Sequence, residues 1–169
     1  MKRVFTVLLT ICLLLNLPCF SVKAHSSADA LQVGDIFETP EGQWKTITAM
    51  EICPNGGFLL ETRTVTHNVN RGFVTQKKDY YYGNNSGEIL WKATLTGTFS
   101  YNGVSASCTS ASCTTTVYNS SWSEKTNHAY PSGASAMAEV TMVQKFLFIT
   151  VDTVSVNLVL ICDKDGNVS

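Results

Sequence analysis

Trp91-Lys-Ala-Thr-Leu-Thr-Gly-Thr-Phe-Ser-Tyr101, followed at once by Asn102-Gly103, is the stretch that decides the fold. Trp91, Ala93, Leu95, Gly97, Phe99 and Tyr101 fall on one side of an extended chain, and Lys92, Thr94, Thr96, Thr98 and Ser100 on the other. A period of two means a β-strand with one face in the core. Asn-Gly best tolerates the positive backbone angles of a two-residue type I′ hairpin turn, so the chain is expected to reverse there. With that turn Tyr101 would oppose Val104, Phe99 would oppose Ala106 and Gly97 would oppose Cys108, which puts Cys108 on the buried face.

The same pattern repeats outward. Met137 to Phe146 and Val151 to Cys162 are both rich in apolar and β-branched residues, which predicts a second hairpin turning between Leu147 and Thr150. Val154, Val156, Leu158, Leu160 and Cys162 share one face of the last strand. Val159 and Ile161 make its other face apolar too, so it is expected to be a central strand. Pro54-Asn55-Gly56-Gly57 and Asn84-Asn85-Ser86-Gly87 separate further β-rich runs, and Ser132-Gly133 marks another turn. Almost nothing reads as helix. These features predict one all-β domain, an antiparallel, immunoglobulin-like β-sandwich of about seven to nine strands, with a closed β-barrel as the alternative.

The N-terminus carries an address. Lys2 and Arg3 precede an apolar run from Val4 to Leu17, and Val22-Lys23-Ala24 supplies the small residue needed before a signal-peptidase cut. The run of about 14 residues is short of the roughly 20 that a spanning helix requires. Residues 1–24 therefore read as a signal peptide and 25–169 as a single secreted domain, with Ala28-Asp29-Ala30 as a second possible cut. A lipid-modified Cys19 is disfavoured because Pro18 stands where that signal needs a small residue. Removing Lys2, Arg3 and Lys23 leaves 9 of 12 basic residues against 13 acidic ones, a net charge of −4. Lys77-Lys78 is a pair and not a basic patch, so no nucleic-acid partner is expected, nor any membrane span after cleavage.

Four cysteines remain, Cys53, Cys108, Cys113 and Cys162, and they allow three pairings. The shared inward parity of Cys108 and Cys162 favours a bridge between them, leaving Cys53 with Cys113. Their spacing lacks the paired CxxC pattern of a zinc site, and no cofactor is expected.

Chemistry is hard to find. His67 lies in a strand-like run and His128 in a Ser/Asn-rich one, and no Gly-x-Ser-x-Gly elbow accompanies them. Glu38 with Glu41, or Asp79 with Glu88, are the carboxylate pairs a glycosidase would need, yet scattered acids are ordinary on any surface. Asp163-Lys-Asp165-Gly166-Asn167 resembles the opening of a calcium loop without its closing glutamate. No catalytic residue is assigned. Tyr80, Tyr81 and Tyr82 with Trp122, and Trp44 and Trp91 beside them, are candidate stacking surfaces for a ligand. Successive tyrosines on a strand cannot all face inward, so Tyr81 is expected to point away from its neighbours. The competing reading makes these rings core. Asn84-Asn-Ser86 and Asn119-Ser-Ser121 match the glycosylation sequon.

The stretch from Trp91 to Gly103, together with Ser105-Ala-Ser-Cys108-Thr-Ser-Ala, Val117-Tyr-Asn-Ser-Ser-Trp122 and the final Val-Asn-Leu-Val-Leu-Ile-Cys162, resembles an uncharacterised family of small secreted β-rich proteins from Gram-positive bacteria. The resemblance covers roughly residues 80 to 169. It implies a bacterial host, a shared β fold and Cys108 and Cys162 as the recurring cysteines, with Cys53 and Cys113 as additions. The functional expectation is a binding or interaction module, released or held at the cell surface, that recognises an extracellular protein or glycan. A secreted antimicrobial or toxin-like protein and a small secreted hydrolase are the alternatives.

Overall fold

The computed structural model describes residues 31–70 and 72–169, with residues 65–70 described in their backbone alone. The signal-peptide residues, both cut sites and Cys19 lie outside the described residues, as does the side chain of His67. Among the described residues ten strands follow one another: β1 (Ile36–Glu38), β2 (Trp44–Thr46), β3 (Ala49–Ile52), β4 (Phe58–Asn70), β5 (Phe73–Gly83), β6 (Ile89–Tyr101), β7 (Ala106–Val117), β8 (Trp122–Ser132), β9 (Ser135–Phe146) and β10 (Ile149–Ile161). They form a five-stranded sheet in the order β3-β4-β5-β6-β7, a three-stranded sheet in the order β10-β9-β8, and the small ribbon β1-β2. Every pairing is antiparallel and joins sequence neighbours, so the sandwich is a meander without Greek-key returns. The sheets do not close into a barrel.

The principal core forms where the two sheets face each other. Trp91, Ala93, Leu95 and Phe99 of β6 are fully buried, as their alternation predicts, and meet Ala136, Ala138, Val140 and Met142 of β9 and Leu158 and Leu160 of β10. Gly97 completes the β6 face, because a Cβ there would stand 2.7 Å from the Phe99 ring and 2.8 Å from Ala136. Tyr81 points the opposite way from Tyr80 and Tyr82, as parity requires, and is covered with Phe58 and Leu60 by Phe37 and Ile47 from the ribbon region. An ion cluster clamps that cover down. Lys45 pairs with Asp79, which also accepts a hydrogen bond from Thr94 Oγ1 (2.7 Å), while Lys92 and the Tyr118 hydroxyl both donate to Glu41. Lys45 and Lys92 each lie 5.7 Å from the Tyr81 ring centroid, a cation–π arrangement.

Two expectations need correction. The β6–β7 connection is longer than a two-residue turn. Asn102 Oδ1 accepts from the backbone N–H groups of Val104 and Ser105 (both 2.9 Å), and Asn102 N donates to Ser105 O (3.2 Å), so Tyr101 pairs with Ala106 and Phe99 with Cys108. As far as Cys108 the pairing slips by two residues relative to the predicted register, which keeps Cys108 inside; a bulge between Thr98 and Phe99 then adds a third, so Gly97 pairs with Ala111 instead of Cys108 and the inward parity of β7 changes beyond Cys108. β10 is an edge strand, not a central one. Its apolar outer positions coincide with an edge that other parts of the chain cap. Val159 N donates to the Tyr80 hydroxyl, Tyr80 and Lys78 donate back to Val159 O, and Ser169 exchanges two backbone bonds with Ile161. Covering free N–H and C=O groups in this way blunts an edge that would otherwise template aggregation.

Candidate functional site

A meander places alternate connections at opposite ends of the sandwich. At one end lie the β3–β4 turn (residues 53–57), the β5–β6 turn (84–88), the β7–β8 turn (118–121) and the β9–β10 tip. Between them opens a cleft of about 440 Å³ whose lining includes Asn55, Tyr82, Asn85, Asn119, Trp122 and Asp152. Asn55 Nδ2 donates to the Tyr82 hydroxyl (2.8 Å) and to Asp152 Oδ2 (2.7 Å), tying the turn before β4 to the start of β10. Gln144 Nε2 donates to Ser121 Oγ (3.3 Å) and ties β9 to the β7–β8 turn. Gly57 is required at the rim, since a side chain there would meet the Tyr82 hydroxyl at 2.5 Å.

Asn84-Asn-Ser86 and Asn119-Ser-Ser121 account for two of these turns. Asn84 Oδ1 accepts from Ser86 N (3.1 Å) and Ser86 Oγ (2.6 Å), and Asn119 Oδ1 accepts from Ser121 N (3.0 Å) and Ser121 Oγ (2.7 Å). Asn-x-Ser here is turn chemistry, in which a short amide stands in for a backbone carbonyl. Below the cleft, Tyr82 stacks on Trp91 (centroids 4.9 Å apart, 15° between planes), and Trp122 packs against both rings at 5.3 and 6.4 Å. Such pairs contribute about 0.5–1.5 kcal/mol each beyond burial and hold the floor rigid. Burial raises the Tyr82 hydroxyl above its ordinary pKa, and the bond from Asn55 only partly offsets this. It therefore stays protonated at neutral pH, able to donate as well as accept.

Tyr80, Tyr81, Tyr82 and Trp122 are all at least nineteen-twentieths buried, so none offers an open stacking face. Tyr82 and Trp122 reach the cleft from beneath, whereas Tyr80 serves the β10 edge and Tyr81 the outer core. The Trp122 Nε1 has no acceptor among protein atoms. Trp44 is the exposed tryptophan, out on the β1–β2 ribbon.

The remaining candidates are dispersed. His128 is exposed and stacks on Tyr130 (5.2 Å), away from the cleft. Glu41 and Asp79 are occupied by the ion cluster, and Glu88 accepts from Asn84 Nδ2. Burial pushes the Glu41 carboxyl up, but the bonds from Lys92, Tyr118 and Thr39 outweigh it and hold its pKa at about 2. Asp163 accepts from the backbone N–H groups of Asp165 and Asn167 (2.9 Å each) and from Asn167 Nδ2 (2.8 Å), so the calcium-like sequence is a turn closed by its own aspartate. Among the described residues no three His, Cys, Asp or Glu side chains converge as a metal site.

The four cysteines are thiols in this structure. Cys108 N donates to Gly133 O (2.7 Å) and Cys162 N to the adjacent Ala134 O (2.9 Å), which brings both residues to the β8–β9 turn at the end opposite the cleft. Cys53 follows β3 while Cys113 lies on β7, and these strands are the two margins of the five-stranded sheet. Four interstrand steps amount to about 19 Å across the sheet, against the roughly 7 Å limit for a bridge. The predicted partnership of these two is therefore not one the fold brings together. Burial, reinforced by Glu124, raises the Cys113 thiol to about 11, and burial likewise raises Cys53.

Compared with protein-family models, curated proteins and solved structures, the chain shows no significant match.

Proposed function

We propose that this chain is an exported binding module, locked by a Cys108–Cys162 disulfide, whose cleft takes a hydroxyl- and amide-rich ligand, a glycan being the class that fits best. The observation that carries the reading is convergence. Side chains from three separate turns and from the base of the β9–β10 hairpin, Asn55, Asn85, Asn119 and Asp152 among them, meet in one cleft over a rigid aromatic floor. Amides donate and accept, the Tyr82 hydroxyl does both, and Asp152 accepts, which is the mixture that hydroxyl groups satisfy.

Export is supported by the leader and by the cysteine placement. In an oxidising compartment two buried cysteines held against adjacent carbonyls of one turn would join without rearranging the sheets. The resemblance to Gram-positive secreted proteins points to the same compartment and to the same pair.

The test is a glycan-array screen of the chain from His25 to Ser169, followed by titration of any hit. Asn85→Ala and Gln144→Ala are each expected to weaken binding by about five- to tenfold, the contribution of one hydrogen bond. An array without hits, or hits indifferent to both changes, would remove the glycan reading.

A further inference from the structure

The β9–β10 hairpin ends in a two-residue turn, Leu147-Phe148, with both residues at positive φ (47° and 70°). That is type I′ geometry, which Asn-Gly adopts readily and which large apolar residues adopt only under strain. The strain secures no packing, because Phe148 is 99% exposed and Leu147 74%. Phe146, Ile149 and Val151 beside them are exposed as well, and Thr150 is the only polar residue between Lys145 and Asp152. A soluble surface seldom gathers five such side chains at one projecting point.

We propose that this tip is a lipid-inserting wedge that holds the protein on a membrane surface, an inference that does not rest on the glycan reading. The geometry favours a bilayer over a protein groove. Phe148 is exposed on every side, as a residue entering a fluid medium would be. Apart from a bulge at Val151 the tip's backbone is paired up to Phe146 and Ile149, so entering hydrocarbon exposes few unpaired amides. Two residue pairs and a turn reach about 5–10 Å, the depth at which interfacial segments sit, so the tip anchors and does not span. Lys145, exposed at its base, would lie at the headgroup level. Asp152, bonded to Asn55, braces the ribbon against the β3–β4 turn so that the tip is presented rigidly.

Strain and exposure make the test unusual, because one variant should improve the turn while removing the wedge. The chain from His25 to Ser169, which carries all ten strands, would be sedimented with phosphatidylcholine vesicles, with and without phosphatidylglycerol. Leu147→Asn combined with Phe148→Gly should lower vesicle partitioning by about a hundredfold, from the apolar surface lost, while its thermal midpoint stays level or rises. Phe148→Asp serves as a second variant, since its side chain touches no other part of the fold, and should lose partitioning to a similar extent. The proposal is overturned if the wild-type chain does not partition into either vesicle, or if both variants partition as well as it does. An increase with phosphatidylglycerol that survives both variants would assign membrane attraction to surface charge and likewise overturn it.

Discussion

The β6–β7 and β9–β10 hairpins reverse the chain at opposite ends of the sandwich with opposite chemistry. At the first, Asn102 uses its side chain to close the turn, Gly103 carries the positive φ (82°), and Gly103 N donates to Lys164 O (2.9 Å), so the turn is fastened to the C-terminal loop. At the second, a leucine and a phenylalanine carry the positive angles and project into solvent. The difference teaches where this molecule keeps its order and where it spends it. One end gathers the cysteine pair and the capped β10 terminus; the other gathers strain, exposed apolar surface and a polar cleft. Strain of this kind collects at sites that do something other than hold the fold.

The contrast can be broken most severely by truncating one phenylalanine at each end. Phe99 is fully buried opposite Cys108, and Phe99→Ala should cost about 3–5 kcal/mol in denaturant unfolding. Phe148→Ala should change stability by less than about 0.5 kcal/mol, the range of a surface substitution. Equal losses would mean that the tip is packed and the comparison is false.

The next largest effect sharpens the ordered end. If Cys108 and Cys162 are bridged in the secreted protein, reduction should remove about 4 kcal/mol on the chain-entropy account of a loop of this length. A non-reducing peptide map reads the pairing directly, and recovery of Cys108 with any other cysteine would redraw that end of the molecule. Mapping of the N-terminus in the same experiment tests the leader and its cut.

The smallest effect concerns the cover over Tyr81. Glu41 is held at about 2, so its contribution to stability is complete above the ordinary carboxylate range and is lost as pH falls from there through 2. The site is largely solvated, so the expected change is a shallow loss, seen as earlier acid unfolding of the β1–β2 cover by tyrosine absorbance. Glu41→Gln should flatten that part of the profile. A profile unchanged by the substitution would place the acid sensitivity elsewhere.

Much of this architecture was legible in residue order. The alternation from Trp91 to Tyr101 specified β6 and its buried face, and parity specified that Tyr81 would leave its neighbours. What parity could not specify was which of the two sheet surfaces would be covered. Tyr81 looked free because the ribbon that buries it lies more than thirty residues upstream. The register of β7 depended on whether the Asn102 side chain would close a turn longer than two residues. Up to Cys108 the two outcomes differ by two positions, and face patterning is blind to an even shift; the bulge beyond it, which pairs Gly97 with Ala111, has no signal in the alternation. The cleft was the least legible part, since its residues come from three turns and several strands with no common spacing, each turn reading alone as an ordinary one. Its clearest trace was Asn-x-Ser, which builds two of those turns.

Sequence alone determined that the chain would be β-structured, where most of it would turn, and which residues of the central strand would be inside, because strand periodicity and turn angles are local properties of the backbone. Tertiary structure alone decided that β10 is an edge capped by Tyr80, that Cys108 and Cys162 meet at one turn while Cys53 and Cys113 part to opposite sheet margins, and that three polar turns and the base of the β9–β10 hairpin surround one cleft. Those outcomes depend on how two twisted sheets stack, and that stacking is set by the summed burial of residues far apart in the chain.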